Sequence, residues 1–177
     1  MDFILAGASH ELEPHWPELM RDLFARHPAA LIARAADDNG FTLIHGDVGE
    51  NNVLVPRAGD RPIYLIDRQP FDWSLTVWLG VYDLAYAIVL DWDTADRRRH
   101  EMQLLRHYYD QLITLGVEAY SWERLYDDYR LSVAICVYVA IEWCRGGINH
   151  EWTHIWLPKL QRSLTACDDL NCRELWT

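Results

Sequence analysis

The sequence predicts an α+β fold in one domain, mainly α-helical, with a small β insert near residue 50. Apolar residues recur at helical spacing before residue 36 and again after residue 81. Between those stretches lie three short runs rich in β-branched and aromatic residues, bounded by turn formers. The 177 residues suit a single domain, and a chain of this size buries roughly 70% of its unfolded surface, so folding needs neither a disulfide nor a metal.

Taken in order, residues 15–36 carry Trp16, Leu19, Met20, Leu23, Phe24 and Leu31 at helical spacing, with Pro17 in the first turn. Asp37-Asp38-Asn39-Gly40 stops that helix. Strands are expected at 41–44, 53–55 and 63–66, the last two joined by the turn-rich connector 56–62. An irregular, Trp-rich segment follows Asp67. Helical patterns then cover 81–91, 94–115, 121–144 and 151–168, with Pro158 interrupting or kinking the last. There is no internal repeat, low-complexity tract or linker.

Half of the residues are hydrophobic and nine are Trp, which argues for a packed globule and against disorder. The formal charge is −11. No basic patch of the kind that binds nucleic acid appears, and Arg97-Arg98-Arg99 reads as a solvated helix face beside Asp93, Asp96 and Glu101. Asp2 stands where a signal peptide carries positive charge. The longest apolar run, 131–141, is too short to span a bilayer and suits a buried helix. Four Cys without a C-x-x-C pair read as reduced thiols of a cytoplasmic protein.

The polar loop in TLIHGDVGENNVLV (42–55) holds the chemistry. An antiparallel hairpin of 53–55 with 63–66 brings Asn52 and Asp67 to the same end, where paired Cα atoms lie about 4.5–5.5 Å apart. Asp47, in the loop leaving the preceding strand, can face the same spot. An amide oxygen and carboxylates so placed suit a hard cation such as Mg²⁺, which fills its octahedron with phosphate and water. Any one of these residues alone would read as a turn former. The three together point to a metal-capable cluster.

His45-Gly46-Asp47 with Asn52 resembles the H-G-D-x-x-x-x-N catalytic loop of aminoglycoside phosphotransferases and related small-molecule kinases, the counterpart of the H-R-D loop of protein kinases. YLIDRQ (64–69) resembles the strand that ends in the metal-binding Asp, although Arg68-Gln69 differ from the Phe-Gly of protein kinases. VYDLAYAI (81–88) is similar to the helix whose Asp braces the loop. The resemblance implies a protein-kinase-like C-terminal lobe that transfers phosphate from ATP, with Mg²⁺, to a hydroxyl of a small molecule. It implies Asp47 as the base, Asn52 and Asp67 as metal ligands, and His45 and Asp83 as supports. The 15 residues between Asp67 and Asp83 leave little room for a protein-substrate platform, and 73–80 is expected to fill that place with aromatic packing or an acceptor-site wall. No glycine-rich loop or Lys stands in the first 40 residues, and Lys159 is the one Lys of the chain, so the nucleotide-binding lobe is expected to be missing and turnover by this chain to be poor.

Two other readings are available. A non-catalytic kinase-like module would self-associate through the surface that an N-terminal lobe covers. His150, Glu151 and His154 fit H-E-x-x-H, the zinc-hydrolase helix, with Glu174 as a third ligand.

Overall fold

The computed structural model describes residues 1–67 and 75–177. Along the chain run α1 (Asp2–Gly7), α2 (Trp16–Arg34), β1 (Phe41–Ile44), β2 (Val53–Leu54), β3 (Tyr64–Leu65), β4 (Thr76–Leu79), α3 (Tyr82–Asp91), α4 (Thr94–Thr114), α5 (Trp122–Glu142) and α6 (Thr153–Asp169). The result is an α+β fold, mainly helical, with two small antiparallel sheets.

Helix α5 takes the middle position: α2, α3, α4 and α6 all pack on it, and residues 128–134 are buried all the way round the helix. Ser121 caps its start, its hydroxyl accepting from Arg124 N at 3.2 Å. Leu125, Tyr129, Val133, Ala134, Val137 and Ala140 are fully buried along its length. Large side chains of this kind contribute about 1.5–3 kcal/mol each. The polar groups that α5 also buries are satisfied. Asp128 accepts from Arg34 Nε at 2.5 Å, Arg34 Nη2 at 2.7 Å and the Tyr120 hydroxyl at 2.7 Å. Arg34 also donates to the carbonyls of Asp37 and Asn39, which ties the end of α2 to the turn entering β1. A second buried network joins α4 to α6 and α5: Arg97 pairs with Glu101 at 2.8 Å and with Asp169, and Tyr129 donates to Glu101 at 2.7 Å. Burying charge is expensive unless it is paired, and both networks pair theirs, although Arg97 Nε finds no partner among the described residues. Arg97 itself is buried, against the solvated face expected of 97–99.

The hairpin expected from 53–55 and 63–66 forms as β2 and β3, paired antiparallel with Val53 opposite Leu65 and Leu54 opposite Tyr64. The segment after Asp67, read from sequence as irregular, contains a strand: Thr76–Leu79 runs antiparallel to β1, with Phe41 opposite Leu79 and Ile44 opposite Thr76. Its alternating Thr76, Val77 and Trp78 favour a pleated surface, and Trp78 packs edge-on against Phe41. Arg68-Gln69 and positions 73–74 lie outside the described residues. Pro158 does not interrupt α6, which runs through it, as α2 runs through Pro28. Helix α1, not expected from sequence, buries Ile4. All four Cys are free and buried. Among the described residues no helix is long and apolar enough to cross a membrane.

Candidate active site

Strand β1 delivers the chain to the site. Ile44 and His45 are buried at its end, and Gly46 then takes φ 85°, a left-handed conformation that costs a glycine nothing and turns the loop over the start of α3. Asp83, in the first turn of α3, closes this bend. Its Oδ2 accepts from His45 N at 2.8 Å and its Oδ1 from Gly46 N at 2.9 Å. Two backbone donors on one carboxylate make a charge-assisted clamp, and an acid in a first turn also suits the helix dipole. At the other end of α3, Asp91 Oδ2 accepts from Glu50 N at 2.9 Å, while its Oδ1 takes the ammonium of Lys159 from α6. The one Lys of the chain is therefore spent on the scaffold.

The His45 ring joins the loop to the hairpin. Nε2–H donates to Ile66 O at 2.8 Å and Nδ1 accepts from Asp47 N at 3.3 Å, a pattern that requires the proton on Nε2. Ile66 N in turn donates to Asn52 O at 3.0 Å, which extends the β2–β3 ladder by one pair. Asp67 is the next residue after that pair, exposed, and held at φ 61°, a left-handed conformation that Asp enters more readily than most residues.

The Asp47 carboxylate is half-buried and engaged on both oxygens. Asn52 Nδ2 donates to its Oδ2 at 3.1 Å and to its backbone oxygen at 2.9 Å. The Tyr86 hydroxyl donates to its Oδ1 at 2.5 Å. With Nδ2 turned onto Asp47, Oδ1 is the remaining acceptor of the Asn52 amide. Burial and, next, the bond to Asp47 push the Tyr86 hydroxyl well above its ordinary pKa, so it stays a donor. Burial first, with the Asp83 and Asp47 carboxylates adding to it, raises the Tyr82 hydroxyl as well. Asp47 faces a cleft of about 260 Å³ lined by Gly46, Tyr82, Tyr86, Val139, Glu142 and Trp143. A second, almost wholly apolar cleft of about 270 Å³ shares Gly46 and Tyr82 with it and continues between β1, β4, α2 and α5, past Leu31, Trp78 and Tyr138.

The structure thus joins His45, Asp47, Asn52 and Asp83 by direct hydrogen bonds and sets Asp67 one residue beyond the Asn52–Ile66 pair. Tyr86, Asp91, Glu142 and Trp143 did not come from sequence reasoning. Tyr86 and Asp91 were within reach: at about 100° per residue they lie roughly 60° to one side of Asp83 and 80° to the other, on one half of the helix. Glu142 and Trp143 arrive from the end of α5, and no local pattern announces them.

The zinc reading of 150–154 does not hold. Helix α6 begins at Thr153, so His150 and Glu151 sit in the preceding turn and the two His are not one helical turn apart on a common face. Asn149 fixes this start, its backbone oxygen accepting from Trp156 Nε1 at 2.7 Å. Glu174 accepts from Arg130 at 2.8 Å. Among the described residues no group of three His, Cys, Asp or Glu side chains converges on a metal position.

No curated protein and no solved structure matches the chain. The model of the ecdysteroid kinase-like family matches residues 7–118, well over half of the sequence and the whole of the loop, hairpin and α3 just described. The sequence resemblance to small-molecule kinases therefore stands at that level, with a different family named from the aminoglycoside phosphotransferases. The chain belongs to the ecdysteroid kinase-like family, a kinase-like family related to small-molecule kinases.

Proposed function

We propose that the protein transfers the γ-phosphoryl group of ATP to a hydroxyl of a small molecule, with Asp47 as base and Asn52 and Asp67 as ligands of Mg²⁺. The observation that carries this reading is the Asp47 carboxylate, fixed between Asn52 and Tyr86 at the floor of a cleft, in a loop clamped by Asp83. The acceptor oxygen attacks phosphorus, the bond from phosphorus to the ADP oxygen breaks, and the acceptor proton passes to Asp47. Such transfer is mostly positioning and charge neutralisation, which a rigid carboxylate and a braced loop supply. The amide oxygen of Asn52 and the carboxylate of Asp67, at one end of the hairpin, have the hard-oxygen chemistry that Mg²⁺ selects. When bound there, that ion would neutralise phosphate charge.

The acceptor hydroxyl enters beside Asp47, and its body lies against the aromatic walls of that cleft and the apolar trough that continues from it. The family name points first to ecdysteroids, so these head the panel to be tested, with other steroid alcohols, aminoglycosides and choline behind them. The test is phosphate transfer from labelled ATP with Mg²⁺. Slow but measurable transfer to an acceptor is expected of this chain, and Asp47→Asn should lower it by a further factor of about 10²–10⁴, the range for general base catalysis. Turnover of Asp47→Asn equal to wild type would remove Asp47 from the role.

A further inference from the structure

The loop offers more than the three residues that the phosphotransfer reading uses. Tyr86 stands on α3 one turn beyond Asp83, so the helix that clamps the loop backbone also reaches the reactive carboxylate. Its ring packs edge-on to Tyr82 at 6.0 Å between centroids, which fixes where its hydroxyl can go. Among the described residues its hydroxyl makes one bond, 2.5 Å to Asp47 Oδ1, and that is the oxygen that Asn52 does not touch. Asn52 holds Oδ2 from the hairpin side, and Tyr86 holds Oδ1 from the helix side. A carboxylate pinned by one donor still rotates about its Cβ–Cγ bond, whereas two donors on different oxygens, from different elements, set the plane of the group. Because the ring of Tyr86 also lines the acceptor cleft, the residue sets the carboxylate plane with respect to the cleft itself.

We propose that Tyr86 is a positioning residue, orienting Asp47 toward the acceptor hydroxyl through its bond to Oδ1. The proposal rests on the phosphotransfer reading for its catalytic consequence, but not for its structural one. Tyr86→Phe keeps the ring, the cleft wall and the contact with Tyr82, and deletes one hydroxyl. Two measurements on the full chain decide the matter. In crystal structures of wild type and Tyr86→Phe, the Asp47 carboxylate of the variant is expected to rotate out of the wild-type plane while the Asp83 clamp stays intact. An unchanged carboxylate overturns the proposal, whether or not the protein turns over. In steady-state assays, Tyr86→Phe is expected to lower kcat by about 10–100-fold, the scale of a misplacement near 1 Å, with the KM values of ATP and acceptor held within about twofold. Tyr86→Ala, which also opens the cleft wall, should raise the acceptor KM in addition. A Phe variant with wild-type kcat, or one that changes only KM, also overturns it. If wild type transfers no phosphate to any acceptor, the phosphotransfer reading fails and the pair of crystal structures still judges the role of Tyr86.

Discussion

On one side of the candidate site the loop 45–50 lies along α3 and receives three of its side chains, Asp83, Tyr86 and Asp91. On the other side stands the β2–β3 hairpin, where Leu54, Val55, Ile63, Tyr64, Leu65 and Ile66 are all exposed. The helix side inherits its positions from the core: Ala85, Ile88, Val89 and Leu90 of α3 are fully buried against the rest of the molecule. Among the described residues, the hairpin side has a two-pair ladder extended by Ile66 N to Asn52 O, and it is held to the loop by His45 Nε2 to Ile66 O and by Asn52 Nδ2 to Asp47. A two-stranded hairpin with no covered face is marginal in water. The contrast teaches a division of labour: under the proposed function, the group that meets the acceptor is preformed, and the groups that meet cation and phosphate are the ones ligand binding would tighten.

Asp83→Ala tests the helix side hardest. It strips the half-buried amides of His45 and Gly46 of their acceptor, at about 1–3 kcal/mol for each unsatisfied group, so a loss of about 4 kcal/mol in urea unfolding is expected. Amide exchange at 45–47 should rise with it. A loss below about 1 kcal/mol would show that α3 does not hold the loop.

Acid separates the two sides next, through the body on which α3 depends. His27, fully buried between α2 and α5, donates to or accepts from the Tyr138 hydroxyl and sits at 3.1 Å from Leu131 O. Burial lowers its pKa from 6.5 to about 4, with the Leu131 carbonyl opposing the shift. The unfolded chain therefore takes up this proton near pH 6.5 and the folded chain only near pH 4. The contribution is full above pH 6.5 and is lost as pH falls toward 4. At about 1.4 kcal/mol per unit the total is about 3 kcal/mol. Wild type should lose that much more stability than His27→Gln between pH 7 and pH 4, read from paired denaturant melts. Parallel pH profiles for the two would refute the assignment.

The same contrast explains what the sequence made legible. Periods of 3.6 residues gave α2 through α6 to within a few residues, because each of these helices buries one face or more against the core. The connector 56–62 marked the hairpin, since a turn is local chemistry. The pairing of β4 with β1 was not legible: it joins segments more than thirty residues apart, and Trp78 reads equally well as strand or wall. Hairpin geometry brought out Asp47, Asn52 and Asp67, and the resemblance to small-molecule kinases added His45 and Asp83. Helix spacing puts Tyr86 and Asp91 on the Asp83 half of α3 but not their partners, which the angle at which α3 crosses the loop decides. It gives no sign of Glu142 and Trp143, which depend on where α5 ends. The start of α6 was misplaced because Asn149, a residue outside the helix, sets it through Trp156.

The smallest expected effect falls on the hairpin and is the most diagnostic. Leu54 and Tyr64 face each other across the ladder and remain 49% and 57% exposed, so little apolar area is lost to water when they change. The double substitution Leu54→Ser with Tyr64→Ser should alter unfolding stability by less than about 0.5 kcal/mol, as for ordinary surface positions. Hydrogen exchange supplies the sharper reading. Amides of 52–66 open locally and should exchange far faster than those of α3 and α5, whose opening approaches global unfolding. Adding Mg-ATP should then slow exchange at 52–66 more than at 83–91, because only the hairpin side has order left to gain. Protection of 52–66 equal to that of α5 without nucleotide would break the comparison. A nucleotide effect confined to α3 would reverse it, making the helix the adaptable half and the hairpin the fixed one.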